Sequence, residues 1–232
     1  MAGLGAMLPD LWRMADRQMR ARPGLDGPGP RGPDEELVSD LLRGIEHHLE
    51  VDAWFHVHPA FVEGERALIE RFRASELRAR KMGLFAHIAW ELCLDGALLR
   101  RIGVDGVLAE LRQDLARACE PGSAAPSSPS ALDRTALRHR PALGEAGGLD
   151  AFARRLEDLL ERLAWGDWIP GYAHGSGIVA RLGGVRRRVG LGRFEASDAR
   201  VLAGLFEQAL READQRLDAL LAVRSGPLSG SN

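Results

Sequence analysis

Two cysteines in 232 residues, Cys93 and Cys119, are too few for a disulfide framework. They form no C-x-x-C pair, which excludes the usual zinc knuckles, and such cysteine usage suits a reducing cytoplasm. Aromatic residues are 6% of the chain and β-branched runs are short, so strand signals are nearly absent. The formal net charge of -2 gives no strong field to hold nucleic acid or an anionic membrane. No run approaches eighteen uninterrupted apolar residues, so no membrane span is expected. The opening MAGLGAMLPDLWR puts a proline and an aspartate where a signal peptide needs an apolar core.

What the chain does have is helical periodicity. A short helix is expected over PDLWRMADRQMRAR, with Pro9 in its first turn. The stretch 23–33, rich in proline and glycine, reads as a loop, and EPGSAAPSSPS opens a second loop or linker covering 120–148. Between them lie a helix ending in AWF, another starting at Pro59, a more apolar one over roughly 76–101, and VDGVLAELRQDLARAC. GLDAFARRLEDLLERLAW is amphipathic, and the glycine-rich 168–194 reads as turn, short helix and turn. The last helix carries one stripe of Val201, Leu202, Leu205, Phe206, Leu210, Leu217, Leu220 and Leu221. Residues 223–232 read as a frayed tail. The expectation is an all-α fold, a single compact bundle of about seven helices over 1–222.

Four of seven histidines fall in HHLEVDAWFHVHP, 47–59. His48, Asp52 and His56 are spaced by four and four, which would put them on one face if the helix persists to His56. His58 precedes Pro59 and belongs to the turn. The apolar helix repeats the rhythm with His87, Glu91 and Asp95. An unpaired carboxylate at Glu91 would be desolvated and its pKa raised. Two such faces opposed would present imidazoles and carboxylates to one point, and a mixed nitrogen and oxygen set without thiolates suits Mn²⁺, Fe²⁺ or Zn²⁺. The plainer reading is a set of ordinary hydrogen-bonded surface pairs. His139 and His174 read as loop residues. The run RLGGVRRRVGLGR is either a solvated turn or a contact for phosphate or an acidic partner, since guanidinium groups grip phosphates bidentately. Trp165, Trp168 and Tyr172 read as core anchors.

These stretches resemble the acyl carrier protein phosphodiesterase family, helical relatives of the HD-type metallohydrolases. GAMLPD is similar to the family's G-x-x-x-x-D stretch and places Asp10 on its acidic position. GIEHHLEVDAWFHVHP follows G-I-x-x-H-x-x-I-D-x-x-x-D-x-H-P at Gly44, Ile45, His48, Asp52, His58 and Pro59. HIAWELCLD resembles the buried D-x-x-x-D-H helix, with His87 and Glu91 on its acidic positions, and Trp168, Tyr172 and Arg186–Arg188 resemble later features. The chain departs at His56 and His87, where the family has Asp, and at Leu92, where it has His. The resemblance implies an HD-like, metal-dependent phosphodiesterase. Its metal would be held by His48, His56, His87 and Glu91. Asp10 or Asp52 would be a further ligand or base, and Arg186, Arg187 and Arg188 would steady phosphate. The implied substrate is phosphopantetheinylated acyl carrier protein or another phosphodiester. The competing expectation is a helical scaffold or partner-binding protein that has kept the fold without the chemistry.

Overall fold

The computed structural model describes residues 1–25, 33–75, 82–120, 128–145 and 147–222. Among them it is all-helical, with ten α-helices, one 3₁₀ turn and no strand. The expected tail and most of the first loop lie outside the described residues. The chain divides into two compact units, each built from two stretches: Met1–Ala53 with Asp105–Gly166, and Trp54–Val104 with Asp167–Asn232.

The first unit holds α1 (Ala2–Ala15), most of α2 (Pro33–Phe55), α5 from Asp105 (Val104–Cys119), α6 (Ala131–His139), the 3₁₀ turn Pro141–Gly144 and α7 (Gly148–Trp165). Helix α1 starts a full two turns before the expected Pro9, which sits inside it and is buried. An interior proline costs about 3 kcal/mol. Here the stripe Leu4, Leu8 and Trp12 is at most 1% exposed, and each such side chain returns about 1.5–3 kcal/mol on burial. Gly5 and Gly44 let α1 and α2 meet backbone to backbone. A Cβ on Gly5 would strike the Leu41 carbonyl, and one on Gly44 the Ala2 carbonyl. Arg155 Nε on α7 donates to the Ala15 carbonyl at 2.7 Å, satisfying one of the orphan acceptors at the end of α1.

Helix α6 corrects the expected loop over 120–148. Ser130 and Asp133 form a reciprocal capping box, and Leu132, Thr135, Ala136 and His139 turn inward from one face. The serine and the aspartate three residues on are a helix start signal inside a stretch whose composition suits a linker. His139 is 1% exposed, not a loop residue. Trp165, expected in the core, is 60% exposed, with the Arg112 guanidinium 5.9 Å from its ring centroid.

The second unit holds α3 (Pro59–Ala74), α4 (Met82–Ile102), α8 (Trp168–Tyr172), α9 (Gly175–Arg188) and α10 (Ala196–Ala222). Helix α10 packs on α3, α4 and α9, and α3 packs on α4. The expected stripe on α10 buries Leu202, Phe206, Leu210, Leu217 and Leu220, while Val201 and Leu221 face solvent. Trp90 of α4 lies directly against Gly64 of α3, where any side chain would meet the indole. Among the described residues α4 is the one helix long and apolar enough to cross a bilayer, by length and composition only. Half of its apolar window is buried in this core, which accounts for its composition. Helix α9 runs fourteen residues, longer than the expected short helix. Its neighbour Trp168 carries the Arg181 guanidinium 3.4 Å from the ring centroid. That contact and burial of Arg181 beside Tyr172 order the α8–α9 corner.

Candidate metal centre

The turn between α2 and α3 is set by Pro59. His58 before it is extended (φ -67°, ψ 135°), as a residue preceding proline must be, so α2 cannot run through. Its Nδ1 accepts from Ala60 N–H at 3.2 Å, capping α3, while Pro59 fills the position where an N–H would be unsatisfied anyway. The expectation that His58 belongs to the turn therefore holds. The condition for His48, Asp52 and His56 to share one helical face, a helix that persists to His56, is not met. Helix α2 ends at Phe55, one residue short of His56, and the turn closes with Val57 N–H donating to Trp54 and His58 N–H to Phe55.

Ending the helix there swings His56 onto α4. Its Nε2 lies 2.8 Å from Glu91 Oε1. His87, one turn before Glu91 on α4, brings its own Nε2 to 3.2 Å from the same oxygen. The two imidazoles stack, centroids 4.9 Å apart and planes 24° from parallel. Phe61, 1% exposed at the start of α3, presents its ring to both at 4.9 and 5.4 Å and forms an apolar floor. Donor atoms of His56, His87 and Glu91 all lie within 4.8 Å of one another.

This set can hold a divalent cation. Ligand atoms about 2.0–2.2 Å from one ion sit roughly 3 Å from each other, which is the spacing of Glu91 Oε1 from both Nε2 atoms. Two imidazoles and one carboxylate leave coordination positions open, the pattern of catalytic sites and not of closed structural ones. Cys93, two residues beyond Glu91, is excluded as a ligand by its own environment: it is fully buried in the helical core, and burial pushes its thiol far up. The buried setting expected for Glu91 is corrected by the geometry. Its side chain is 35% exposed and faces two histidines.

Three of the four expected ligands thus come together in the second unit. His48, half-buried on α2, belongs to the first unit, as do Asp10 and Asp52, both exposed on α1 and α2. Of the arginine run, Arg186 is spent on its own helix end: its Nε donates to the Leu191 carbonyl at 3.1 Å and its guanidinium sits 4.9 Å from the Phe194 centroid. Arg187 and Arg188 are exposed in the last turn of α9, where cations complement the helix dipole.

Glu65 is the residue that sequence reasoning missed. Its Oε1 lies 3.2 Å from His87 Nδ1, on the ring edge opposite Glu91. The signal was present: Phe61, Glu65, Leu68 and Phe72 share one face of α3, and a glutamate in an otherwise buried stripe needs a partner. No family model, curated protein or solved structure matches the chain, so the likeness to acyl carrier protein phosphodiesterases stands on the quoted stretches alone.

Proposed function

We propose that the second unit binds one divalent transition-metal ion through His56, His87 and Glu91, and that the protein is a metal-dependent, phosphodiesterase-like hydrolase with an HD-like helical architecture. The observation that carries this is the convergence of two imidazole Nε2 atoms on one carboxylate oxygen, at 2.8 and 3.2 Å. A bound Mn²⁺, Fe²⁺ or Zn²⁺ would activate water and neutralise charge on phosphoryl oxygens. The protein's own part is positional. Phe61 keeps water from beneath the rings, Glu91 and His87 are held one turn apart on a packed helix, and the turn before Pro59 brings in His56. The exposed Arg187 and Arg188 are assigned to the phosphate or to an acidic partner, with acyl carrier protein or another phosphodiester as substrate.

The test is elemental analysis of protein purified without a histidine tag, followed by a phosphodiester screen that includes phosphopantetheinylated acyl carrier protein. Metal near one equivalent and turnover that rises on its addition are expected. Stoichiometry near zero, with no gain from Mn²⁺, Fe²⁺ or Zn²⁺, would sink the reading.

One observation favours a second reading, a helical scaffold without chemistry. Glu65, His87, Glu91 and His56 form a continuous chain of contacts that protons alone can satisfy. On that reading His87→Ala changes stability only, and a hydrolase activity abolished by that substitution rules it out.

A further inference from the structure

We propose that Glu65 is the positioning residue of this centre: its carboxylate accepts the Nδ1–H of His87 and fixes the ring with its Nε2 facing Glu91 and His56. The inference rests on the metal reading above but makes a separate claim about this chain's own residues. The geometry allots the two nitrogens of His87 to two different carboxylates, Nδ1 to Glu65 at 3.2 Å and Nε2 to Glu91 at 3.2 Å. The carboxylates come from different helices, α3 and α4, so the imidazole is gripped from both edges. A hydrogen on Nδ1 leaves the Nε2 lone pair for a cation, and a carboxylate behind a ligating histidine both sets that tautomer and raises the ring's basicity. His56 has a different setting. Its ring meets Phe55 and Phe61 edge-on and His87 face-on, at centroid distances of 5.4, 4.9 and 4.9 Å. Ring packing and Glu91 take part in orienting His56, and Glu65 adds a carboxylate at the second nitrogen of His87.

The position of Glu65 supports the assignment. It follows Gly64, whose missing side chain is required by the Trp90 indole, so this turn of α3 is pressed against α4. The glutamate therefore starts from a backbone whose distance to His87 is fixed by core packing. A carboxylate placed by a rigid helix can hold a ring within the narrow angular range that a metal ligand needs.

The experiment uses the full chain with ¹⁵N-labelled histidine, metal-free and with added Zn²⁺, comparing wild type, Glu65→Leu and Glu65→Gln. Wild type should show a protonated, slowly exchanging His87 Nδ1 in both states. In Glu65→Leu that signal should be lost and zinc affinity should fall by about 10- to 100-fold. Glu65→Gln, whose amide oxygen can accept the same Nδ1–H, should restore the signal and most of the affinity. A purely structural glutamate would not give this pattern, because both variants would change melting behaviour without a tautomer-specific rescue. An unprotonated Nδ1 in the wild type overturns the proposal, as does a Glu65→Leu protein with unchanged His87 signal and zinc affinity. Should the wild type bind no zinc while the Nδ1–H still depends on Glu65, the metal reading falls and the orienting bond stands.

Discussion

His139 in the first unit and His87 in the second both lie on helices against an aromatic ring, 4.9 Å from Trp12 and 5.4 Å from Phe61, centroid to centroid. Their surroundings are otherwise opposite. His139 is 1% exposed, and its Nδ1 accepts the Arg22 backbone N–H at 3.0 Å. Burial, and secondarily the Arg22 charge, push its pKa down to about 4. The side chain of His87 is 36% exposed with a carboxylate at each ring nitrogen. One imidazole is built into a core as a neutral hydrogen-bond acceptor, and the other is left reachable among oxygen donors. Counting histidines in the sequence cannot separate these cases; what separates them is whether the ring is given carboxylates or hydrocarbon.

The sharpest way to break the comparison is to remove the aromatic partner on the structural side. Trp12 is fully buried, and its replacement by Ala should cost about 3–5 kcal/mol in denaturant unfolding. The proposed metal site of His56, His87 and Glu91 lies in the other unit, and any zinc affinity should be kept wherever the variant remains folded. A variant that loses stability by less than about 1 kcal/mol would show that His139 is not set in a tightly packed core.

Acid should separate the two histidines next. The folded-state pKa of His139 is depressed to about 4 from an ordinary value of 6.5. Between these values the unfolded chain binds a proton that the folded chain refuses, so stability is complete above about pH 6.5 and declines as pH falls toward 4. The full decline is on the order of 3 kcal/mol. The fold resists the second proton because a buried imidazolium is desolvated and sits beside the Arg22 charge. Urea midpoints at pH 7 and pH 5 should differ in the wild type and differ less in His139→Gln. Equal pH dependence in both proteins would assign the acid sensitivity elsewhere.

Metal addition should act on the other side of the comparison. A cation that binds only the folded state adds about 2.7 kcal/mol at a free concentration of one hundred times its Kd. That gain should appear in the wild type on adding Zn²⁺, vanish with a strong chelator, and be absent from Glu91→Gln, which removes the shared oxygen donor. An equal gain in Glu91→Gln would move the binding site away from α4.

Much of this was legible before the structure, and the failures have physical causes. The all-helical class and the inward stripe of α10 follow from 3.6-residue periodicity, which survives in a single sequence. Spacing singles out His56, His87 and Glu91, and a shared face for His56 depends on a helix that persists to it; α2 ends at Phe55, in the turn that leads to Pro59. His48 and Asp52 join the cluster by spacing and Asp10 by resemblance alone; all three residues fall in the first unit, and His56, His87 and Glu91 in the second. His139 was lost because a capping box, Ser130 with Asp133, was read as linker. The helical spacing of Glu65 with Phe61, Leu68 and Phe72 marks it as a glutamate in need of a partner, but His87 lies on the next helix, so no local pattern names that partner.

The smallest expected effect tests the comparison at its exposed end. His87→Ala removes a side chain that is about a third exposed and leaves no buried donor behind. Glu91 still has His56 at 2.8 Å, and the Glu65 side chain, 27% exposed, can turn toward water. Ion pairs at such exposure contribute little, because solvent screens them and the side chains lose entropy in holding them. The metal-free protein should therefore lose no more than about 1 kcal/mol on His87→Ala in urea unfolding. His139→Ala, which vacates a packed site beside Trp12 and abandons the Arg22 N–H, should lose clearly more. With Zn²⁺ present the gap should narrow, because His87→Ala also forfeits the stabilisation that binding supplies to the wild type. If the metal-free His87→Ala protein is instead the more damaged of the two, the Glu65–His87–Glu91 chain is a folding element in its own right. The scaffold reading of the second unit would then be the stronger one.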